Sequence, residues 1–257
     1  LVAVVSAIIL AACGGDDSTT QSAAGAGGAE PVTGSITVLA AASLTDAFGR
    51  LGKDFQAAHP DVKVTFNFAG SASLREQILA GAPADVFASA NEANMTPVVG
   101  AGAVSGSATP FVTNKLEIAV PAGNPGKVAG LADFANAKLL IGLCAPEMPC
   151  GEFGREALSK AGVEPSVDTN ETDVRSLLTK LEAGELDAGI VYRTDVLAAG
   201  DEVNGIEIPA DDNVTAVYPI VRLSASRNPS TADAFVQYVL SAQGQSTLRG
   251  FGFGPPT

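Results

Sequence analysis

Four short turns in this sequence carry hydroxyls or bare backbone amides where a helix is set to begin: Ala41–Ser43, Gly70–Ser73, Pro149–Gly151 and Asn170–Val174. Each follows a run that reads as a strand. A helix start leaves N–H groups unpaired and carries partial positive charge, so it can hold an anion. Ser43 and Ser71 would add hydroxyl donors, and none of the four turns contains Lys or Arg. The chemistry this implies is capture of an anion by dipoles rather than by ion pairs. Each residue also has an ordinary reading. Ser43, Ser73 and Thr172 suit helix caps, with Asp46 completing a capping box on Ser43. Cys150 suits a structural half-cystine, Val174 a core position, and Tyr192 a packing residue at a strand end. Patterning alone therefore stops at a secreted α/β domain that reads as a binder.

Catalytic arrangements are scarce. The single histidine, His59, excludes multi-histidine metal sites and is the only residue on which a Ser-His-Asp triad could be built. It lies between Ala58 and Pro60 at a helix end and reads as incidental. There is no G-x-S-x-G, no P-loop and no Cys beside a plausible His. Of the three cysteines, Cys144 and Cys150 stand six apart in LCAPEMPCG. In an extracytoplasmic chain such a pair predicts a disulfide. Free thiols and a metal site are the alternatives, and the metal reading lacks further Cys or His ligands.

The elements that would carry these turns alternate. Ser35–Ala41, Val62–Phe68, Ala84–Ala88, Leu116–Val120, Leu139–Leu143, Ala188–Val191 and Ala216–Leu223 read as strands. Leu44, Ala47, Phe48, Leu51 and Phe55 form a helical stripe that Pro60 stops. LREQILAG, Glu152–Ala161, Val174–Ala183 and Thr231–Ser241 read as further helices. This order predicts an α/β fold of mainly parallel sheets flanked by helices. At this length two lobes are expected, with the chain crossing between them near Val112–Ala119 and returning near Tyr218–Ser224. The expected division is residues 35–113 and 223–257 for lobe 1 and 114–222 for lobe 2.

The 257 residues carry 15 Lys+Arg against 28 Asp+Glu, a net charge of -13, which excludes the basic footprint of a nucleic-acid binder. It also speaks against attraction to anionic lipid. With 46% apolar residues the chain is not disordered throughout. Leu1–Ala12 is apolar but shorter than the roughly 20 residues of a membrane span, and it suits a secretory h-region. No basic n-region precedes it, so the sequence is expected to begin inside the signal. Leu10-Ala11-Ala12-Cys13 resembles a bacterial lipobox, which implies lipidation at Cys13. An ordinary signal with an incidental Cys is the alternative. Residues 14–34 are Gly-, Ser- and Ala-rich and predict a flexible tether.

Six segments sharpen the reading: Ile36–Thr45 (ITVLAAASLT), Phe68–Leu74 (FAGSASL), Gly81–Phe87 (GAPADVF), Pro149–Gly151, Asp173–Arg175 and Gly189–Tyr192 (GIVY). In this order they resemble the periplasmic molybdate-binding proteins of ABC transporters, the ModA family, from about Ser35 to Phe253. The resemblance implies a two-lobed type II periplasmic-binding-protein fold with an oxyanion in the cleft between lobes. It implies a ligand set of the Ser43 and Ser71 hydroxyls, the Cys150 and Val174 backbones, and the Tyr192 hydroxyl, with no direct metal ligand. Cys150 replaces the family's usual Ala, a change that backbone donation tolerates, and a Cys144–Cys150 bridge would then clamp a ligand loop. Ser71 is preferred over Ser73 by register, with Ser73 as the cap.

The implied function is extracytoplasmic binding of molybdate, and of tungstate of similar size, for delivery to a membrane permease. The protein would be a lipid-anchored monomer without cofactor or enzymatic activity. A donor-only site suits a fully deprotonated dianion. Phosphate keeps a proton that needs an acceptor, and an unpaired one costs about 1–3 kcal/mol. Asp173 and Glu147 are the nearest carboxylates in sequence. Sulfate passes the proton test and must be rejected by size. The alternatives are the same fold with sulfate, thiosulfate or an organic anion, and an enzyme on that fold.

Overall fold

The computed structural model describes residues 32–256. The signal and lipidation readings of residues 1–13 lie outside these residues, as does all but the end of the expected tether. Gly34, assigned to that tether, already opens the first strand.

The chain begins with β1 (Gly34–Ala41), α1 (Thr45–Ala58), β2 (Val62–Ala69), α2 (Ser71–Leu79), β3 (Val86–Ala88) and α3 (Glu92–Gly100). A long strand follows, β4 (Val104–Pro121). Next come β5 (Ile141–Cys144), α4 (Pro149–Lys160), β6 (Thr169–Glu171), α5 (Val174–Glu182), β7 (Ala188–Tyr192), α6 (Arg193–Ala199) and β8 (Val203–Glu207). Finally β9 (Thr215–Leu223), α7 (Pro229–Leu240) and α8 (Ala242–Gly250) complete the fold.

The strands form one path, β2-β1-β3-β9-β4-β7-β5-β6, with β8 paired to β4. β1 pairs in parallel with β2 and β3, and β5 with β6 and β7. Every antiparallel ladder involves β4 or β9. These are the two strands that join the parallel halves. β4 lies along β9 up to Lys115 and along β7 from Leu116. The expected α/β architecture of parallel, helix-flanked units is thus present.

The predicted stripe of α1 is its buried face: Leu44, Ala47, Phe48, Leu51 and Phe55 are each at most 1% exposed. Phe48 packs against Phe66, Phe111 and Phe235 at ring-centroid distances of 6.2, 5.8 and 6.2 Å. His59 follows α1 and packs against Phe55 with the two rings tilted at 50°.

Several elements differ from the sequence expectation for local reasons. β4 starts at Val104 rather than Leu116, because its first part holds Gly106 and Pro110 and is paired through register shifts that break the alternation. α4 starts at Pro149 rather than Glu152, with proline at the position where its missing N–H costs nothing. α3 contains Pro97, and α8 buries only Gly244 and Leu248, so neither shows a broad apolar stripe. The short β6, α6 and β8 were likewise not expected from sequence.

Candidate functional site

Six chain segments converge on one small cavity between the two halves of the sheet. Its walls are Ala41–Ser43 after β1, Gly70 and Ser71 at α2, Ala90 after β3, Pro149 and Cys150 at α4, Asp173 and Val174 at α5, and Tyr192 at the end of β7. The space open to the centre of a water-sized sphere is about 20 Å³, where one water needs about 10–15 Å³. A small ion fits such a volume and a sugar or peptide does not. All five residues expected as ligands, Ser43, Ser71, Cys150, Val174 and Tyr192, line this cavity and are buried.

Local structure shows how each donor is presented. Ser43 sits in a 3-10 turn, Ala42–Leu44, ahead of α1 and caps no helix amide. The capping-box expectation is therefore wrong. The Ser43 hydroxyl lies 2.9 Å from the Tyr218 hydroxyl on β9, and Asp46 turns to Arg175 instead. Burial raises the Tyr218 phenol above its ordinary range, so Tyr218 stays protonated. When Tyr218 donates to Ser43 Oγ, the Ser43 proton is left for the cavity.

Ser71 is the first residue of α2, whose cap position is Gly70. Ser73 is thus inside the helix rather than its cap, and it does not line the cavity. The Ser71 oxygen accepts the Ala90 N–H at 3.0 Å, which leaves its own O–H to donate. Sequence reasoning missed Ala90 and Tyr218, since neither contact is signalled by a local pattern.

Asp173, not Thr172, caps α5. Asp173 Oδ1 accepts the Arg175 and Ser176 amides at 2.9 and 3.0 Å, and Oδ2 accepts the Ser176 hydroxyl at 3.1 Å. The cap does not use the Val174 N–H. Although Asp173 lines the cavity, its carboxylate is committed to its own helix, and Glu147 is not in the lining. In α4 the Gly151 and Glu152 amides both return to Met148 O at 2.9 Å, a pattern that omits the Cys150 N–H.

The expected disulfide is present. Cys144, at the end of β5, is bonded to Cys150 with Cα atoms 5.7 Å apart. It ties the first turn of α4 to the sheet. A Cβ added at Gly151 would lie 2.0 Å from the Ala145 carbonyl oxygen, so the same turn also requires glycine.

Tyr192 is 1% exposed, and its hydroxyl is buried without a hydrogen-bond partner. Such an orphan costs about 1–3 kcal/mol unless something fills it. Burial, together with the neighbouring Tyr218 and Asp195, raises its phenol well above the ordinary range. It is therefore a donor at any physiological pH. Its backbone N–H is held at 3.1 Å by Asp195 Oδ2. Asp195 is fully buried, and desolvation pushes its carboxyl up to about 7 despite the nearby Arg175. Among the described residues no group of three or more His, Cys, Asp or Glu could hold a metal ion. What the cavity offers is a set of neutral donors around a volume suited to one anion.

Residues 36–254 match the family model described as "Bacterial extracellular solute-binding protein". The chain is 40% identical over 222 residues to the molybdate-binding protein ModA of Mycobacterium tuberculosis, covering 86% of this chain and 85% of that relative. The chain belongs to the ModA family of bacterial extracellular solute-binding proteins. Another member, the molybdate-binding protein ModA of Escherichia coli, is 32% identical over 241 residues, 89% of this chain and 92% of its own. In fold, the chain is similar to the periplasmic molybdate-binding protein of Azotobacter vinelandii. That match has TM-score 0.77 and 21% identity, and covers 86% of this chain and 100% of that one. The sulfate-binding protein SubI of Mycobacterium tuberculosis is as similar, with TM-score 0.78, 20% identity and 86% of each chain covered. Backbone likeness therefore does not separate the two anions.

Members of this family work outside the cytoplasm as solute-binding proteins. No helix among the described residues is long and apolar enough to cross a membrane.

Proposed function

We propose that this protein binds molybdate, and tungstate with it, and delivers the anion to the membrane permease of an ABC transporter. The ligand set is Ser43 and Ser71 through their hydroxyls, Cys150 and Val174 through their N–H groups, and Tyr192 through its phenol. The observation that carries this reading is the Tyr192 hydroxyl, buried without a partner at a cavity that the other four residues also line. The names of the 40% and 32% identical relatives supply the choice of anion. The protein acts as a receptor rather than an enzyme, as a monomer, tethered through lipid on Cys13. Its lobes comprise residues 35–113 with 223–257, and 114–222, and they close on the anion.

Discrimination follows from the donors. A doubly deprotonated tetrahedral ion satisfies every donor, whereas the proton on phosphate finds the Asp173 carboxylate already committed. Sulfate is the second reading, favoured by the equal fold likeness to a sulfate-binding protein. Size alone then separates it from molybdate. Calorimetric titration of residues 32–257 with the four anions tests this. Tight one-to-one binding of molybdate and tungstate with weak sulfate and no phosphate is expected. Preference for sulfate would keep the fold and replace the ligand.

A further inference from the structure

Three contacts join the halves of the molecule at and around the cavity. On one flank, Arg175 in the first turn of α5 is ion-paired with Asp46 in the first turn of α1. On another, Asn91, the cap of α3, donates to Glu152 Oε2 on α4 at 2.9 Å. Gly70, in the cavity wall, lies so close to the opposite half that an added Cβ would meet the Thr172 carbonyl oxygen at 2.6 Å. Arg175 differs from the others in having a second carboxylate. Its Nε lies 3.5 Å from Asp195 Oδ1, and both atoms are buried with no hydrogen-bond partner. Asp195 in turn holds the Tyr192 backbone N–H. The guanidinium thus links the tyrosine strand end, through α5, to the helix that follows Ser43.

We propose that Asp46–Arg175–Asp195 is a clasp across the cleft, in which Arg175 is a positioning residue that sets how long the bound anion stays. Asp195 and Arg175 belong to the same half and stay together when the cleft opens. The Asp46–Arg175 pair spans the halves and can exist only when they meet. Its formation therefore stabilises the closed form and not the open one, and only such a differential contact shifts the balance between them. Because Arg175 is the neighbour of Val174, closing the clasp also brings the α5 amide end to the cavity. The Arg175 and Asp46 side chains are 28% and 45% exposed, so solvent screens the pair and its effect is moderate and salt-dependent.

The deciding variant is Asp46→Asn, which removes the cross-cleft charge and leaves the Asp195–Arg175 contact and all proposed ligands in place. The inference rests on the molybdate reading, so release is measured with radiolabelled molybdate chased by unlabelled molybdate. Release is expected to be about two- to fivefold faster in Asp46→Asn, the range that a half-exposed ion pair supports. Asp46→Glu should restore slow release. Raising the salt should speed release in the wild type and have little effect on Asp46→Asn. Equal release rates in the two proteins at low salt overturn the clasp. If the wild type does not bind molybdate, the functional reading fails. The clasp is then read by small-angle X-ray scattering of the ligand-free proteins. A larger radius of gyration for Asp46→Asn supports the clasp, and an equal one overturns it.

Discussion

At the scale of single residues, the proposed site rests on donors left unfilled. The Tyr192 hydroxyl is the clearest case, because the folded chain buries it with nothing to bond. A hydrogen bond to an ionic partner contributes about 1.5–3 kcal/mol. Tyr192→Phe should therefore weaken molybdate binding by about 10- to 100-fold. The ligand-free variant should melt no lower than the wild type, since an unsatisfied polar atom is removed. Titration calorimetry and a melting curve check both halves of this expectation. An unchanged affinity would remove Tyr192 from the ligand set.

Asp195 makes a second prediction at this scale. Its folded carboxyl is raised to about 7, above the ordinary carboxylate value. The folded state thus holds the proton more tightly than the unfolded chain does. The resulting stability is present below the unfolded pKa, about 4, and is lost as pH rises through about 7. Asp195→Asn cannot titrate, so the wild type should lose ground against it between pH 5 and pH 8. Parallel melting curves at the two pH values measure this. A constant difference would mean that Asp195 is already ionised at the lower pH.

At the scale of elements, the proposed donation by the Cys150 N–H requires the first turn of α4 to be held at the cavity. The Cys144–Cys150 bond does this from the end of β5, and Gly151 permits the close approach to Ala145. A loop this short contributes about 2 kcal/mol through the entropy of the unfolded chain. Reduction should lower the melting temperature, and loosening of the turn should weaken molybdate binding as well. A fall in stability with affinity intact would show that the bridge supports the fold but does not position the donor. Gly151→Ala offers a complementary check, because its Cβ would press on backbone rather than on a movable side chain.

At the scale of the whole molecule, charge opposes the ligand. The net charge of -13 repels a dianion at long range, whereas the proposed donors of the cavity would attract it only nearby through dipoles and hydroxyls. Added salt should screen the repulsion and raise the association rate, the reverse of the usual steering effect. Rapid-mixing measurements at about 20 and 200 mM salt, above and near a Debye length of 10 Å, would show it. The chain has three tyrosines and no tryptophan, and both Tyr192 and Tyr218 are at the site. Tyrosine emission is therefore a natural readout. A rate that falls with salt would point to a local positive field that outweighs the net charge.

The sequence by itself determined most of the scaffold. The α1 stripe, the parallel strands and the Cys144–Cys150 pairing follow from local patterns, and in each case a nearby residue decides the outcome. It also marked five residues that the fold brings to one cavity, because their motifs occur together in the family it resembles. Local pattern alone erred on the caps. Ser43, Ser73 and Thr172 look like capping residues. Only the tertiary structure shows Ser43 bonded to Tyr218, Ser73 inside α2 and Asp173 in the capping role. Nor could spacing reveal that Ala90 orients Ser71, or that Arg175 reaches both Asp46 and Asp195. Ser43 and Tyr218 are 175 residues apart and Asp46 and Arg175 are 129 apart, so no sequence window contains either contact. Donor types are a property of residues, but whether a buried donor is left without a partner depends on everything packed around it. That last fact makes the cavity a candidate site, and only the folded chain decides it.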